Sequence, residues 1–347
     1  MMKTLNKYAV LAMLLTLALW GCQRIPLYER TTNVYLDFKV NIDLDYKLDL
    51  SVDTDIPEEY ESKIYGKMPE YVEVLFYDRD DHTLKKSQIL PVEGGFLDVP
   101  AGEYDLVIYS FGTESTQVVN THYMYDAQAF TTDITKEMAS KLFAVKAITD
   151  DAETKGEVRG YDDDPIIHEP DHLYVVKKEG VSISSFLDKT GTVTIDATAH
   201  SIVEVYSMEV LGVKGAENIE RVDAFITGQV KSHYFGADGK SQDPATLYIT
   251  MTPDAENNRL YTVFGTFGKL TGEENKVYLD IMVTNSGGGQ YRYIYDVTEQ
   301  FDDTANENNK LVIGGDEIDI PKAEFGGSGL APSVDGWDNE TVEVPLG

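Results

Sequence analysis

Ten alternate positions from Val34 to Val52 are apolar, and this pattern constrains the fold more than any other feature of the chain. The residues between them are mostly charged or polar, among them Asp37, Lys39 and Asp43. Side chains alternate between the two faces of a β-strand, so this register predicts one apolar face on a core and one charged face in water. The run is longer than a usual strand. We therefore expect a bend or bulge to divide it into two strands.

The chain begins with a segment typical of exported proteins. Lys3 and Lys7 precede an apolar stretch that is too short to span a bilayer comfortably, so residues 1–21 are predicted to be a signal peptide. The stretch ends in Leu19-Trp20-Gly21-Cys22, which looks like a bacterial lipobox. In that reading Cys22 is lipidated and becomes the mature N-terminus, and the protein is attached to the outer membrane through acyl chains. Both the cell surface and the periplasmic face of that membrane are compatible with this signal.

Cys22 is the only cysteine in the 347-residue chain. No disulfide within the chain and no cysteine metal site can therefore form. The chain carries 60 acidic and 29 basic residues, a formal net charge of −31 at pH 7. Such a surface repels phosphates and anionic lipid, so we predict no nucleic-acid binding and membrane attachment through the acyl chains alone.

Short alternating segments bounded by turn residues predict an all-β protein. Pro100 and Gly102 form a turn before one such segment, and Asp238-Gly239 and Ser286–Gly289 are hairpin signals. This spacing favours antiparallel sandwiches over parallel βαβ units. Strands are predicted at 71–77, 84–90, 96–99, 103–109, 192–197, 201–213, 221–234, 246–251, 260–267, 276–284, 290–297 and 311–320, and one short helix is predicted at 134–145.

An acidic segment with few apolar residues divides the chain. Between Thr149 and Asp171, acidic residues are followed by Pro165 and Pro170, which predicts a linker or long exposed loop. The predicted organisation is a signal peptide at 1–21, an N-terminal β-sandwich domain at 22–148, an acidic linker at 149–171, a C-terminal β-sandwich domain at 172–321 and an acidic, Gly-rich tail at 322–347.

Two groups of residues have spacings that suit a metal ion, but the sequence argues against both. His168 and His172 are separated by Pro170, which prevents a helix that would hold both on one face. The run Asp162–Asp164 lacks the spaced oxygens and the fixed glycine of an EF-hand loop. We predict no metal site, and a solvated linker is the favoured interpretation of both groups.

The chain has no recognisable catalytic pattern. Gly287-Gly288-Gly289 is not followed by a helix with a P-loop lysine, and there is no Gly-x-Ser-x-Gly elbow. A cysteine nucleophile is excluded because Cys22 is committed to lipid. With 60 acids in the chain, no pair of carboxylates is informative about glycosidase chemistry. We predict that the protein is not an enzyme and needs no cofactor.

Tyr291, Tyr293 and Tyr295, here called the tyrosine row, are the one candidate for ligand-facing aromatic residues. Their alternate spacing places them on one face of a strand. Such a row could bind a glycan if it faced solvent. Packing against a neighbouring sheet is the alternative, and we favour it.

The lipobox and the alternating strand begin an ordered series of motifs. The series continues with Val99–Tyr109 and Pro170–Tyr174 and closes with Leu311–Pro321. In this order it resembles the fimbrillin-like lipoproteins of Bacteroidetes, in particular the anchor and accessory subunits of type V pili and related domains of unknown function. The resemblance covers most of the mature chain. It implies two transthyretin-like antiparallel β-sandwich domains in tandem, no enzyme, and a role in pilus assembly or adhesion.

Stalk subunits of the resembled family are matured at an arginine, but neither Arg24 nor Arg30 stands out as such a site, so an anchor or accessory role is favoured. We expect contact with a pilin through β-strand pairing, because open sandwiches expose backbone donors and acceptors at their edges. Val342 and Val344 give the tail a short alternating segment that could take part, and a solvated end is the alternative. The competing function is that of a surface glycan-binding lipoprotein.

Overall fold

The computed structural model describes residues 33–45, 60–66, 68–134, 164–184, 192–272, 275–302, 309–314 and 318–322. The α-helices in these ranges, α1 at Glu61–Tyr65 and α2 at Thr298–Asp302, have five residues each. A helix that crosses a bilayer needs about 20 residues, and none in the described ranges is long enough. The strands are, in chain order, β1 Asn33–Asp45, β2 Tyr71–Asp78, β3 Leu84–Pro91, β4 Gly95–Pro100, β5 Gly102–Phe111, β6 Thr116–Val119, β7 Gln128–Thr131, β8 Ile166–His168, β9 Tyr174–Ile183, β10 Thr192–Ser201, β11 Glu204–Leu211, β12 Val213–Lys214, β13 Ile219–Val230, β14 Ser232–Tyr234, β15 Gly239–Lys240, β16 Pro244–Thr250, β17 Thr252–Asp254, β18 Arg259–Thr266, β19 Tyr278–Asn285, β20 Gln290–Asp296, β21 Lys310–Ile313 and β22 Ile318–Asp319.

The first sheet has seven strands in the order β3-β2-β5-β9-β10-β1-β4. Strand β1 is the start of the alternating run, and its Phe38 is fully buried while the adjacent Lys39 is exposed. It runs parallel to β10, with Asp37 opposite Thr192, and antiparallel to β4. Residues 46–52 of the run, and the predicted bend, lie outside the described residues.

The two edge strands of this sheet approach each other, so the sheet curls around an apolar interior. Gln88 Nε2 of β3 donates a hydrogen bond to the Phe96 carbonyl of β4 at 3.1 Å. Inside, the Phe76 ring packs edge-on against Phe38 and Tyr104, with centroids 5.9 and 5.6 Å apart. Buried residues of the interior are Phe38, Val72, Val74, Phe76, Leu90, Leu97, Val99, Tyr104, Leu106, Ile108, Tyr174, Val176, Val181, Ile183, Ile195 and Ala199.

Two further sheets form a β-sandwich from the C-terminal half of the chain. One has the order β17-β18-β11-β21 and the other β20-β19-β13-β16-β8. Their facing sides enclose a second core, with Met208 and Phe264 from the four-stranded sheet and Ala224 and Ile281 from the five-stranded sheet. Strands β12 and β22 form a separate two-stranded parallel pair.

A small sheet of order β15-β14-β7-β6 contains strands from both halves of the chain. Phe130 of β7 lies opposite Ser232 of β14. A third apolar cluster, here called the junction core, packs the outer face of β2 and β5 against residues of the C-terminal half. Its buried members are Leu75, Tyr77, Val107, Tyr109, Met124, Ala127, Ala129, Leu173, Val175, Val203, Val230, Phe235 and Phe267.

The predicted all-β fold is confirmed, and each predicted strand overlaps an observed one. The sheets are mixed rather than purely antiparallel, because the pairs β1–β10, β8–β16, β11–β21 and β12–β22 are parallel. Strands β6, β7, β8, β9, β15 and β17 add to the predicted set. In β9, three buried residues, Tyr174 to Val176, are followed by four exposed residues. This strand therefore lacks the alternation of buried and exposed residues by which strands are predicted. The predicted helix lies outside the described residues beyond Ile134.

The division into two domains at 149–171 stays a prediction. Strands β9 and β10, which that division assigns to the C-terminal domain, pair with β5 and β1 of the first sheet. Residues 149–163 of the predicted linker lie outside the described residues. Within the rest of it, Ile166 and Ile167 are buried in β8 rather than exposed, because β8 hydrogen-bonds to β16.

Candidate functional site

A cleft of about 730 Å³ opens where the first sheet meets the C-terminal sandwich. One wall is formed by the start of β2 and the end of β5, with Tyr71 and Phe111. The other wall comes from α1, β16 and β18, with Lys63, Thr250 and Gly265. The connection between β8 and β9 contributes residues 169–172 to the lining. The cleft therefore depends on segments that are far apart in sequence.

Four hydrogen bonds hold the β8–β9 connection to the segment that follows β5. The Ser115 N–H donates to Asp171 Oδ2 at 2.5 Å, and the Asp171 N–H donates to Ser115 Oγ at 3.1 Å. Ser115 Oγ–H donates to the Glu169 carbonyl, and Thr116 Oγ1–H donates to the Asp171 carbonyl, both at 3.0 Å. This reciprocal bonding fixes the shape of the cleft without a ligand.

An ion pair ties α1 to the same connection. Lys63 Nζ lies 3.0 Å from Glu169 Oε2 and donates to the Val263 carbonyl of β18 at 3.2 Å. Burial raises the pKa of Glu169, while the Lys63 ammonium and the Gly265 N–H act against that shift. Because its charge is neutralised by Glu169, Lys63 serves as a structural tie between α1 and the cleft wall.

His172 is a second polar tie in this wall. Its Nε2–H donates to the Lys63 carbonyl at 2.7 Å, which leaves Nδ1 as the acceptor for Ser201 Oγ–H at 3.0 Å. The ring stacks on Tyr174 with centroids 5.6 Å apart. Burial lowers the pKa of His172 and so favours the neutral ring that this bonding pattern needs.

The tyrosine row packs against the C-terminal core. Tyr293 is buried in that core, and Tyr291 and Tyr295 are partly buried against it. The three side chains do share one face of β20, as the spacing predicts, but that face points toward the sandwich interior. The row therefore forms no solvent-facing platform.

The two predicted histidines do not converge on one point. The His168 ring lies edge-on to Tyr248 at 6.3 Å, whereas both ring nitrogens of His172 are engaged by Lys63 and Ser201. Among the residues that the structure describes, no three His, Cys, Asp or Glu side chains are grouped to hold a metal ion. Cys22, Asp162 and Asp163 lie outside those residues.

Sequence reasoning did not find the aromatic residues of the cleft. Tyr71 and Phe111 lie directly opposite each other on β2 and β5, and both are exposed. Alternation along each strand could have located them. Val72 and Ile108 point into the interior of the first sheet, so Tyr71 and Phe111, an odd number of positions away, point to its other face. Their pairing, across 40 positions of sequence, was not marked by any local pattern.

Residues 59–250 match a protein family described as Domain of unknown function (DUF5119). The chain belongs to this family. The match covers more than half of the chain and includes the first sheet from β2 onward, the β8–β9 connection and β16, and thus most of the cleft.

Relatives of this DUF5119 chain include fimbrial proteins. "Putative fimbrium anchoring subunit Fim4B" of Bacteroides ovatus is 24% identical over 314 residues, which cover 82% of this chain and 87% of that protein. The crystal structure of "a putative adhesin" from Bacteroides ovatus is 20% identical with a TM-score of 0.54 and covers 88% of this chain and 98% of its own, so the two share a fold. The fimbrial anchor protein Mfa2 of Porphyromonas gingivalis is 12% identical, with a TM-score of 0.41 and coverage of 81% and 89%. The resemblance to pilus anchor and accessory proteins is confirmed.

Proposed function

We propose that this protein is a non-enzymatic, lipid-anchored accessory subunit of a pilus, with its main role in anchoring. The observation that carries this proposal is the identity of 24% over 314 residues to a relative named as a fimbrium anchoring subunit. The alignment spans most of both chains, so the likeness extends to the whole architecture rather than to one sheet.

The start of the sequence supports attachment to the outer membrane. Lys3 and Lys7, the apolar stretch and Leu19-Trp20-Gly21-Cys22 have the order of a lipoprotein signal. Each buried CH₂ of an acyl chain contributes about 0.8 kcal/mol, and two or more chains on Cys22 would hold the protein stably in the membrane. A location at the cell envelope follows from both the signal and the fimbrial relatives.

The chemistry of the cleft supports a structural role. Its strongest polar pairs, Lys63 with Glu169 and His172 with Ser201, join segments of the protein to one another. Ser201 is buried, and both ring nitrogens of His172 are engaged within the protein, by Ser201 and by the Lys63 carbonyl, so these groups support the fold rather than proton transfer to a substrate. We propose that the partner is a pilin or another pilus subunit, and that it is contacted by β-strand pairing.

Substitution of Cys22 tests the anchoring role. In a strain whose gene is replaced by Cys22→Ala, palmitate labelling of the protein should be lost, and pili should be released from cells into the medium. Because cleavage and acylation both require the cysteine, Gln23→Ala is the matched control and should keep both labelling and attached pili. Normal pilus attachment in a strain that lacks the whole gene would overturn the anchoring role.

A further inference from the structure

The cleft contains an exposed apolar surface that the fold does not need for its own packing. Tyr71 is 48% exposed, Phe111 43% and Met68 61%. Tyr71 and Phe111 are opposite neighbours on β2 and β5, and such neighbours have Cβ atoms about 5 Å apart, so their side chains lie next to each other. Both side chains lie on the outer face of the first sheet, the face that packs against the junction core farther along β2 and β5.

The strands of the cleft are already paired on both edges. β2 lies between β3 and β5, β5 between β2 and β9, and β16 between β13 and β8. Strand β8 is at the end of its sheet, but its outer edge is bridged by Asp133 and hydrogen-bonded by Ile134. A peptide that adds a strand needs an open edge, so these strands present side chains to a ligand rather than backbone.

Most of the charged groups that line the cleft are carboxylates. Glu70 and Glu114, which are close in sequence to Tyr71 and Phe111, line the cleft and are exposed, and Asp171 of the same lining is half-buried. The Lys63 ammonium of this site is neutralised by Glu169. An anionic ligand would be repelled here, whereas hydroxyl groups can donate short, charge-assisted hydrogen bonds to carboxylates.

We infer that the cleft binds a neutral oligosaccharide, with one sugar ring against Tyr71 and Phe111 and its hydroxyl groups donating to Glu70 and Glu114. Aromatic rings offer apolar faces to the C–H face of a sugar, and the carboxylates give the hydroxyl groups the partners that they lose on leaving water. Because hydrogen bonds already hold the connection at Asp171 in place, little ordering accompanies binding. This adhesive function goes beyond the proposed anchoring role.

Direct binding to the full-length lipoprotein tests this inference. The protein would be purified in a detergent without a sugar headgroup and titrated with short neutral oligosaccharides of glucose, galactose, mannose or N-acetylglucosamine. Calorimetry gives the affinity, and saturation-transfer NMR reports contact between sugar protons and aromatic rings. We expect Tyr71→Ala and Phe111→Ala each to weaken binding by at least about tenfold, through loss of buried apolar area. Glu114→Gln, on an exposed loop, should weaken it without an effect on folding.

Phe96→Ala is the matched control, since Phe96 is an exposed aromatic residue of the same sheet at 59% exposure but is not part of the cleft. It should leave the affinity unchanged, as should Phe111→Tyr, which keeps an aromatic face. The inference is overturned if no neutral oligosaccharide binds, if binding survives the combined Tyr71→Ala and Phe111→Ala change, if sialylated sugars bind more tightly than neutral ones, or if a basic peptide binds in place of sugar. Pilus attachment to cells should be unaffected by Phe111→Ala, so failure of this inference is distinguishable from failure of the anchoring role.

Discussion

At the scale of single residues, Gly236 shows how closely the two halves of the chain approach. It lies in the turn between β14 and β15, and its N–H donates to the Ala127 carbonyl at 3.4 Å. A Cβ atom at this position would lie 1.7 Å from the Met124 carbonyl oxygen, which belongs to the other half of the chain. No side chain can fit there unless the backbone moves.

Gly236→Ala should therefore destabilise the protein. Overpacking of this kind typically costs about 1–3 kcal/mol, and we expect a loss in the upper part of that range because the clash is with backbone. Urea unfolding measures it as a lower midpoint. Gly239, in the same hairpin, has open space around its Cβ position, so Gly239→Ala is the control and should change the midpoint little. Equal midpoints for the two variants would contradict the prediction.

At the scale of the elements, the small sheet β15-β14-β7-β6 carries a buried histidine at the junction. His233 of β14 lies opposite Ala129 of β7 and Lys240 of β15. Burial lowers the pKa of His233 to about 4; the nearby Asp238 and Glu204 carboxylates act against that shift, and the Lys240 and Lys177 ammonium groups add to it. The sheet is therefore built around a neutral imidazole.

This lowered pKa predicts a loss of stability in acid. The pKa of His233 is 6.5 in the unfolded chain and about 4 in the folded protein, so between these pH values the unfolded chain binds a proton that the folded protein does not. The stabilising contribution of the neutral ring is therefore complete above pH 6.5 and is lost as the pH falls to 4. The unfolding free energy lost over this pH range is on the order of 3 kcal/mol. His233→Gln should lose less unfolding free energy than the wild type between these pH values in urea titrations. His168→Gln, which removes an exposed histidine, is the control. If His233→Gln loses as much unfolding free energy in acid as the wild type does, the assignment is refuted.

At the scale of the whole molecule, the two halves interleave. The first sheet takes β9 and β10 from beyond the acidic segment, and the small sheet pairs β7 with β14. At the other end of the C-terminal sandwich, Asn218 Nδ2 donates to the Ile320 carbonyl and Asn285 Nδ2 to the Pro321 carbonyl. The described chain is thus anchored just before the tail that begins at Lys322.

Because this anchorage precedes it, the tail can be removed without loss of a described strand. We predict that deletion of Phe325–Gly347 leaves the amount of protein unchanged and reduces pilus attachment to cells, through loss of a pairing strand. Val342→Ser with Val344→Ser should have the same effect, since these residues share one face of the predicted strand. Thr341→Ser with Glu343→Ser changes the opposite face and is the control. Full attachment after the deletion would exclude the tail from the contact.

Features that depend on local pattern could be predicted from the sequence by itself. Phe38 is buried and Lys39 exposed because alternation along a strand is a property of the backbone. The hairpin of β14 and β15 closes next to the predicted Asp238-Gly239 signal, because Asp238, the last residue of the turn, accepts a φ of 61°. The all-β class and most strands follow from the same two rules.

What only the tertiary structure decided is which strands meet and which faces remain open. The tyrosine row has the spacing of a platform, yet it faces the core that lies between the two sheets of the C-terminal sandwich. Tyr71 and Phe111 become a candidate site because β2 and β5 pair and both side chains stay exposed, with none of the described helices or strands covering that end of the outer face. Local pattern determines the periodicity of a strand, but burial depends on contacts between segments distant in sequence, and these are settled only when the whole chain competes to cover its apolar surface.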